Sequence, residues 1–482
     1  MTQSEAYISL PRPRQLRVIL GVGILWFYNL LFAFAMPVIL PSLMEYYDMM
    51  AYYAVLGGVT SLMTCIVTPI GGKLGDRFGR RRVCLIAGYL RLALMVACGI
   101  PSSGPVFLVL YSCGSLVGGF LNAFPATILS DVTTPSERPK WFGVFGTING
   151  AALLIGLFGG GVAVDLLGPT SIFWLVSPLG LIALVLLTLY YPNRPSGSAA
   201  GIDGVGMALL GTGLACVLSW CSFGDSLFPR VSPVGIGLLV CGAVLLVLLL
   251  RYERSAQDPL LDLSLFRNRN FSMSFSTHLL IAPMMCLCSS TLSLFGQKAL
   301  GLSATVSGTL ALPKNILFLI LPTLLGTWIA KDQQRYRPVF LTCGGAITLG
   351  SVLCAGWNTG TPVAAIYAVM LIFGLGTSCQ SVCIQPYMQL TVPPAKLGSA
   401  AAMVLFANSI GVVIFNAFYN IFYNARYAEA MAQGGGAKLA EGIAETFSCI
   451  SILSAVCGAA IVILALWLVP SRKAAARQQT AQ

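Results

Sequence analysis

The densest chemistry in this sequence lies between Gly72 and Arg82. There Gly-Lys-Leu-Gly-Asp-Arg-Phe-Gly-Arg-Arg-Arg sets one carboxylate, Asp76, among Lys73, Arg77, Arg80, Arg81 and Arg82. Charged residues make up only 9% of the chain, against about 25% in soluble domains, so such a knot needs a reason. Asp76 can accept charge-assisted hydrogen bonds from Arg77, from Arg80 or from the N-terminal amides of a neighbouring helix. Gly72 and Gly75 carry no side chain and let their helix approach a neighbour closely. Such a cluster can hold one conformation and release in another, or it can be a static anchor with screened charges. A second group, Asp131 followed by Glu137, Arg138 and Lys140, can supply a partner to the knot or form a solvated, capped turn.

Other reactive side chains form no catalytic pattern. The 15 cysteines sit mostly inside apolar runs, where they act as small hydrophobes. With one histidine and no Cys-x-x-Cys, a zinc site has no ligand set. No nucleophile–base pair or phosphate-binding glycine loop is recognisable, because the knot lacks the Gly-Lys-Ser/Thr ending of a P-loop. The expectation is a protein that is not an enzyme and needs no metal or cofactor.

The elements that position the knot are apolar. Hydrophobic residues make up 57% of 482, and runs of about 20 apolar residues, enough to cross a bilayer, recur along the chain. They lie near 17–41, 52–74, 83–101, 105–130, 141–164, 171–191, 204–223, 232–251, 272–296, 306–329, 339–356, 362–390, 399–424 and 447–469, which predicts fourteen spanning helices. The first run is too long for a signal peptide and lacks its cleavage pattern. Of the 28 Lys and Arg, 22 fall in the tails and alternate loops on one side and 4 in the opposite loops; Arg91 and Lys314 lie inside spans. Positive charge stays cytoplasmic, so both termini are expected inside a cell membrane. The net charge of +12 is then a topology signal and not a nucleic-acid surface.

With these runs in place, the turn Gly72-x-Leu74-x-Asp76-Arg77-x-Gly79-Arg80-Arg81 resembles the loop 2–3 motif of the major facilitator superfamily. Further segments resemble its fourteen-helix drug:proton antiporter branch. They are Ala35-Met36-Pro37, the helix-five stretch Gly156-Leu157-Phe158-Gly159-Gly160-Gly161, Ile172-Phe173, and Ser177-Pro178-Leu179-Gly180. The flanks Asp203-Gly204-Val205-Gly206, Pro259-Leu260-Leu261-Asp262-Leu263 and Leu265-Phe266-Arg267-Asn268 also resemble it. The resemblance implies an all-α polytopic membrane protein of two six-helix bundles plus two inserted helices. The halves would be 1–191 and 272–471, the insert 192–271 and a basic cytoplasmic tail 472–482. It makes the loop knot a conformational latch with Asp131 as partner, and Gly156, Gly160 and Gly161 an antiporter motif. Two departures stand out: the branch's embedded Asp of helix one falls near Tyr28, and its helix-four Arg near Gly114. Leu157 also stands where the family usually has Pro.

Helices one, four, nine and twelve would line a midplane cavity, as the resemblance implies. Trp26, Asn29, Asn122, His278, Gln380 and Gln385 are candidate contacts there, with Gln389 further along helix twelve and Asn149, Lys314 and Asn416 able to join them. Each buried amide can touch substrate or simply bond another helix. Lys314 can bind an anionic group or snorkel outward, and Arg91 can snorkel or pack. His278 can carry a coupled proton or serve as a plain hydrogen-bonder. None of the 16 acids falls in the middle of a span; proton coupling is thus implied by resemblance and weakened by composition. The reading is a monomeric secondary transporter exporting small amphipathic molecules by alternating access, with the bilayer, its substrate and protons as partners. The alternative is an organic-anion transporter or facilitator built on Lys314.

Overall fold

The computed structural model of the chain describes residues 8, 10–49, 53–100, 103–193, 204–223, 228–255, 261–288, 290–302, 304–393, 396–432 and 437–469. Residues 194–203 at the start of the expected insert, Pro259, Leu260 and the tail 472–482 lie outside them. The described chain is helical: α1 (Arg12–Tyr46), α2 (Tyr53–Phe78), α3 (Arg80–Gly99), α4 (Gly104–Leu121), α5 (Phe124–Val132), α6 (Arg138–Leu167), α7 (Ser171–Tyr190), α8 (Gly204–Phe223) and α9 (Pro233–Ser255), then α10 (Arg269–Leu280), α11 (Ala282–Leu287), α12 (Ser290–Lys298), α13 (Ala304–Thr309), α14 (Leu312–Ala330), α15 (Tyr336–Ala355), α16 (Val363–Gln389), α17 (Leu397–Ala432) and α18 (Ala437–Leu468). Each of the fourteen expected runs overlaps helical backbone. Eleven helices among the described residues are long and apolar enough to cross a membrane.

Proline and glycine punctuate these helices for identifiable reasons. α4 and α5 are separated at Asn122-Ala123, just ahead of Pro125. α10 and α11 part at Ile281 ahead of Pro283, and α14 begins with Pro313 in its first turn. Proline lacks an N–H and fits the first turn of a helix far better than its interior. Between α2 and α3 the chain reverses through the single residue Gly79, whose φ of 91° is a conformation side chains disfavour.

The chain divides into two compact units. The first holds 1–138, 151–267 and 392–406, and the second 139–150, 268–391 and 407–482. In the first, α1 lies on α7, α2 and α3 on α4, and α8 on both α9 and α2. Gly213 and Gly242 meet where α8 crosses α9; a Cβ at 242 would sit 2.9 Å from the Gly213 carbonyl. In the second, α15 packs on α18 and α16, while α14 and α10 pack on α16. The inner stretch of α6 belongs to this unit. Its Gly143, Gly146 and Gly150 lie against Pro322 and Leu319 of α14, and Thr147 and Thr323 share a hydroxyl hydrogen bond of 2.7 Å.

Outward faces carry large apolar side chains, among them Leu166, Leu189, Val352, Val456 and Trp467, each more than half exposed. In a bilayer such faces meet lipid, which solvates them as well as another helix would. Helix association then depends on close van der Waals fit and interhelical hydrogen bonds. Gly344 and Gly458 set that fit where α15 crosses α18. A Cβ at 458 would lie 2.7 Å from the Thr348 amide nitrogen, whereas a Cβ at 345 would meet nothing within 4 Å. Gly458→Ala should therefore lower the thermal midpoint of the detergent-solubilised protein, at a cost of about 1–3 kcal/mol for overpacking. Gly345→Ala should leave the midpoint unchanged or raise it slightly, because alanine is the better helix former by about 1 kcal/mol.

Candidate functional site

The loop knot forms a buried network inside the first unit. Asp76 sits in the last turn of α2 and Arg80 opens α3, four residues on. Arg80 donates from Nε (3.1 Å) and Nη2 (2.9 Å) to one Asp76 carboxylate oxygen, and from Nη1 to Asp131 at 2.5 Å. The other Asp131 oxygen accepts from the Tyr191 hydroxyl at 2.8 Å. The other Asp76 oxygen accepts the backbone amide of Ser399, in the first turn of α17, at 2.8 Å. Of the donors considered from sequence, Arg80 and the helix amide therefore bind Asp76, while Arg77 lies over the Phe78 ring, 5.2 Å from its centroid. Asp131 is fully enclosed, and the side chains of Asp76 and Arg80 are less than a tenth exposed.

Glycines make this geometry possible. Gly72, one turn before Asp76, faces α17: a Cβ there would lie 2.5 Å from the Ala402 Cβ and 2.6 Å from the Gly398 carbonyl. At Gly398 itself a Cβ would run into the Asp76 carboxylate. Gly75 faces α5, where a Cβ would meet the Phe124 ring at 2.7 Å. With both carboxylates ionised, Asp76, Arg80 and Asp131 sum to one negative charge. The N-terminus of α17, worth about half a positive charge, compensates part of it.

The C-terminal carbonyls of α5 are met one by one. Arg138 Nη2 donates to Ser130 (3.0 Å), the Ile8 amide to Asp131 (2.6 Å) and Gln15 Nε2 to Val132 (2.8 Å). The end of α7 is met similarly by Arg81 on Thr188 (2.6 Å) and Arg14 on Tyr190 (3.0 Å). Leu74 is half-buried beside the network. Tyr191, Gln15 and Ser399 carry no motif, and sequence reading missed them, whereas Arg138 belongs to the second charged group it named. The only available signal was that a helix end buried at a charged turn must find donors for its last carbonyls.

A second clamp reaches the same segment. Asp262, in the turn after α9, forms an ion pair with Lys396, three residues before Ser399. Asp262 also accepts from the Ser264 amide at 3.0 Å and hydroxyl at 2.5 Å. Buried Leu261 and Leu265 fasten the turn. Burial alone pushes the Asp262 carboxyl up, but hydrogen bonds from Lys396 and Ser264, with the Lys396 charge, outweigh it and hold the group below the usual carboxylate range.

The remaining expected residues fall into separate places. Asn29 of α1 donates to Asn122, at the α4–α5 break, at 2.8 Å, and Trp26 is half-buried nearby on α1. Gly156 and Gly160 lie against Phe34 and Ala35 of α1, where a Cβ would approach within 2.9 and 3.2 Å; Gly161 is looser, 3.8 Å from Val38. In the second unit, His278, Gln380, Gln385 and Gln389 are buried, and the His278 carbonyl accepts from Asn408 at 3.4 Å. Asn149 and Lys314 are half-buried. Asn416 lies in α17, its side chain outside the described residues.

Of the two alternatives read for Arg91, snorkelling and packing, the structure shows the packed one. Arg91 does not snorkel. It is 6% exposed, donates from Nη1 to the Gly114 carbonyl at 2.7 Å, and lies 6.0 and 5.8 Å from the ring centroids of Tyr28 and Phe32. A snorkelling side chain needs a clear path along its own helix to the interface. Here Gly114 and Gly118 open a gap in α4 instead, and a Cβ at 118 would overlap the Arg91 guanidinium.

The sequence model described as Major Facilitator Superfamily matches residues 21–416. The chain is 26% identical over 381 residues to the multidrug transporter protein MdtP of Bacillus subtilis, covering 77% of this chain and 70% of that protein. It is 28% identical over 394 residues to the puromycin resistance protein pur8 of Streptomyces alboniger, covering 80% and 75%. Of solved structures, the human organic anion transporter MFSD10 aligns with a TM-score of 0.63 at 14% identity, over 93% of this chain and 100% of that one. A bacterial homologue of the iron transporter ferroportin, in an outward-facing state, aligns with a TM-score of 0.63 at 13% identity over 94% and 99%. At such identities the structural likeness speaks to the fold alone.

Two measurements test the network. Asp131→Asn strips a buried guanidinium of a charged partner and should cost about 3–5 kcal/mol; Arg77→Gln, which gives up a ring contact, should shift the thermal midpoint little. The Asp262 clamp should respond to acid. Its folded carboxyl titrates below its unfolded value near 3.9, so its stabilisation is complete above that value and fades as pH falls through the depressed one. Asp262→Asn should therefore lower stability at pH 7 by less than about 1 kcal/mol, since Lys396 is half exposed. Wild type and variant should converge in thermal melts once the pH has fallen through the depressed value.

Proposed function

Because this chain belongs to the Major Facilitator Superfamily, whose members are membrane transporters and not enzymes, we propose that it is a secondary transporter exporting small amphipathic organic compounds by alternating access. The observation that carries the reading is the Asp76–Ser399 contact. One carboxylate holds one helix terminus across a glycine-lined approach, and a single hydrogen-bonded contact of that kind can be made and released as a transporter cycles. The relatives named for multidrug transport and puromycin resistance, each matching more than three quarters of this chain, support amphipathic organic molecules as cargo.

In this reading Asp76, Arg80 and Asp131, with Gly72, Gly75 and Gly79, form the latch, and Gly156 and Gly160 keep α6 close to α1. Fourteen crossings, helical halves at 1–191 and 272–471, an inserted pair at 192–271, both termini in the cytoplasm of a cell-membrane monomer: these complete the proposal, on the charge distribution and the resemblance of the loop and flanking motifs. Coupling to protons would fall to His278 and the carboxylates at helix ends, the titratable groups best placed for it.

Cells producing the protein should lose preloaded Nile red and other neutral lipophilic dyes several-fold faster than cells carrying an empty vector. Asp76→Asn, matched for amount in the membrane, should lose most of that advantage. Equal retention in wild-type and empty cells, with the protein present in the membrane, would rule out export of such compounds.

A further inference from the structure

Arg91 is a cation in the interior of α3 that the protein encloses. Every neighbour named here belongs to the first unit. Among the described residues, no carboxylate lies within ion-pair distance of it, and its single acceptor is the Gly114 carbonyl. A guanidinium carries five N–H donors; Arg91 Nε is enclosed with no acceptor, and so is the hydroxyl of Tyr28, the ring beside it. Tyr28 is itself fully buried and pinned from behind by Gly180, where a Cβ would come within 2.9 Å of the ring. Tyr28 meets Phe32 edge-on at 5.3 Å, and Phe32 stacks on Phe173 at 5.8 Å. The charge thus sits in an aromatic, low-dielectric wall between α1, α3 and α4.

Burying an unpaired charge is expensive in a membrane, and such groups mark sites of function more often than of stability. The contrast with two other buried arginines of the same unit is direct. Arg80 meets two carboxylates, and Arg138 has the Ser130 carbonyl at a helix C-terminus, where the dipole favours a cation. Arg91 lies in the middle of a helix and faces aromatic rings, whose quadrupole attracts a cation but cancels none of its charge. Its field therefore extends into the surrounding protein.

We infer that Arg91 sets the charge class of the cargo: its uncompensated guanidinium favours amphiphiles bearing a carboxylate or sulfonate, admits neutral ones, and disfavours cations. This deepens the transport reading and rests on it. Arg91 acts through its field as a specificity determinant and need not touch the cargo. At about 10 Å and an effective dielectric constant of about 20, one unit charge shifts the preference for another by roughly tenfold.

The test uses three probes with one fluorophore: neutral diphenylhexatriene, its propionate and its trimethylammonium derivative. Binding to the full-length protein in nanodiscs, corrected against empty nanodiscs, and flux from proteoliposomes are both measured. Wild type should prefer propionate to trimethylammonium by about tenfold, twice that shift being cancelled in part by screening. Arg91→Gln should bring the ratio to within about twofold of unity with the neutral probe unchanged, and Arg91→Lys should keep it. A ratio unmoved by Arg91→Gln, or an equal fall for all three probes, would mean that Arg91 only packs the helices and overturns the inference. So would a wild-type preference for the cation, a result that needs no variant to fold. Absence of flux for every probe would overturn the transport reading, while the binding ratio would still judge Arg91.

Discussion

A carboxylate withdrawn from water must find its hydrogen-bond donors within the protein, and Asp76 finds them on two sides. Arg80, four residues along the chain, takes one oxygen; the amide of Ser399, more than three hundred residues away, takes the other. Much of the first unit's local sequence follows from that requirement. Gly72 and Gly398 have no side chains because any would separate α2 from α17. Gly79 supplies the sharp reversal that returns Arg80 to within reach of Asp76. Asp131 completes the coordination of Arg80 and is itself held by the Tyr191 hydroxyl, and three donors from different segments complete the end of the helix that carries Asp131.

Charge scarcity gives each of these groups its weight. In a soluble protein an Asp–Arg pair at a turn is screened and contributes little. In an enclosed network the same pair is strongly coupled, because removing either member leaves the other without solvent. The excess of two anions over one cation is partly compensated by a helix terminus, which makes the position of α17 part of the electrostatics. The Asp262–Lys396 pair fastens the neighbouring residues of the same segment from the connection that follows α9. The segment 396–399 is therefore held by two carboxylates from sequence-distant places, one deep and one near water.

Arg91 shows the opposite arrangement. Its guanidinium fills the space left by Gly118, donates to the Gly114 carbonyl and rests against Tyr28 and Phe32. The resemblance led to expected charges on helices one and four, and neither is present; a cation from α3 lies in the space between those helices instead. Asn29 and Asn122, read as cargo contacts or as interhelical glue, hydrogen-bond to each other. A neutral amide such as Asn29 needs only a dipolar partner, whereas an unpaired cation cannot be neutralised by a ring face or one carbonyl.

Local chemistry and periodicity made a good part of this molecule legible. Long apolar runs require helices in a bilayer, because every backbone polar group must be satisfied within the segment. The glycine-and-charge knot at 72–82 identifies its family, and Arg80 is one of the partners its charges offer to Asp76, across the turn that Gly79 allows. Tertiary structure alone decided which distant partners complete those groups: Ser399 for Asp76, Tyr191 and Arg80 for Asp131, Lys396 for Asp262, and Gly114 for Arg91. The reason is physical. Hydrophobic periodicity tells a helix that it is buried, but where lipid solvates one face as well as a neighbour solvates another, the close approach of two particular helices is set by small residues and single hydrogen bonds. Those depend on rotation and depth about each helix axis, which a one-dimensional pattern does not carry.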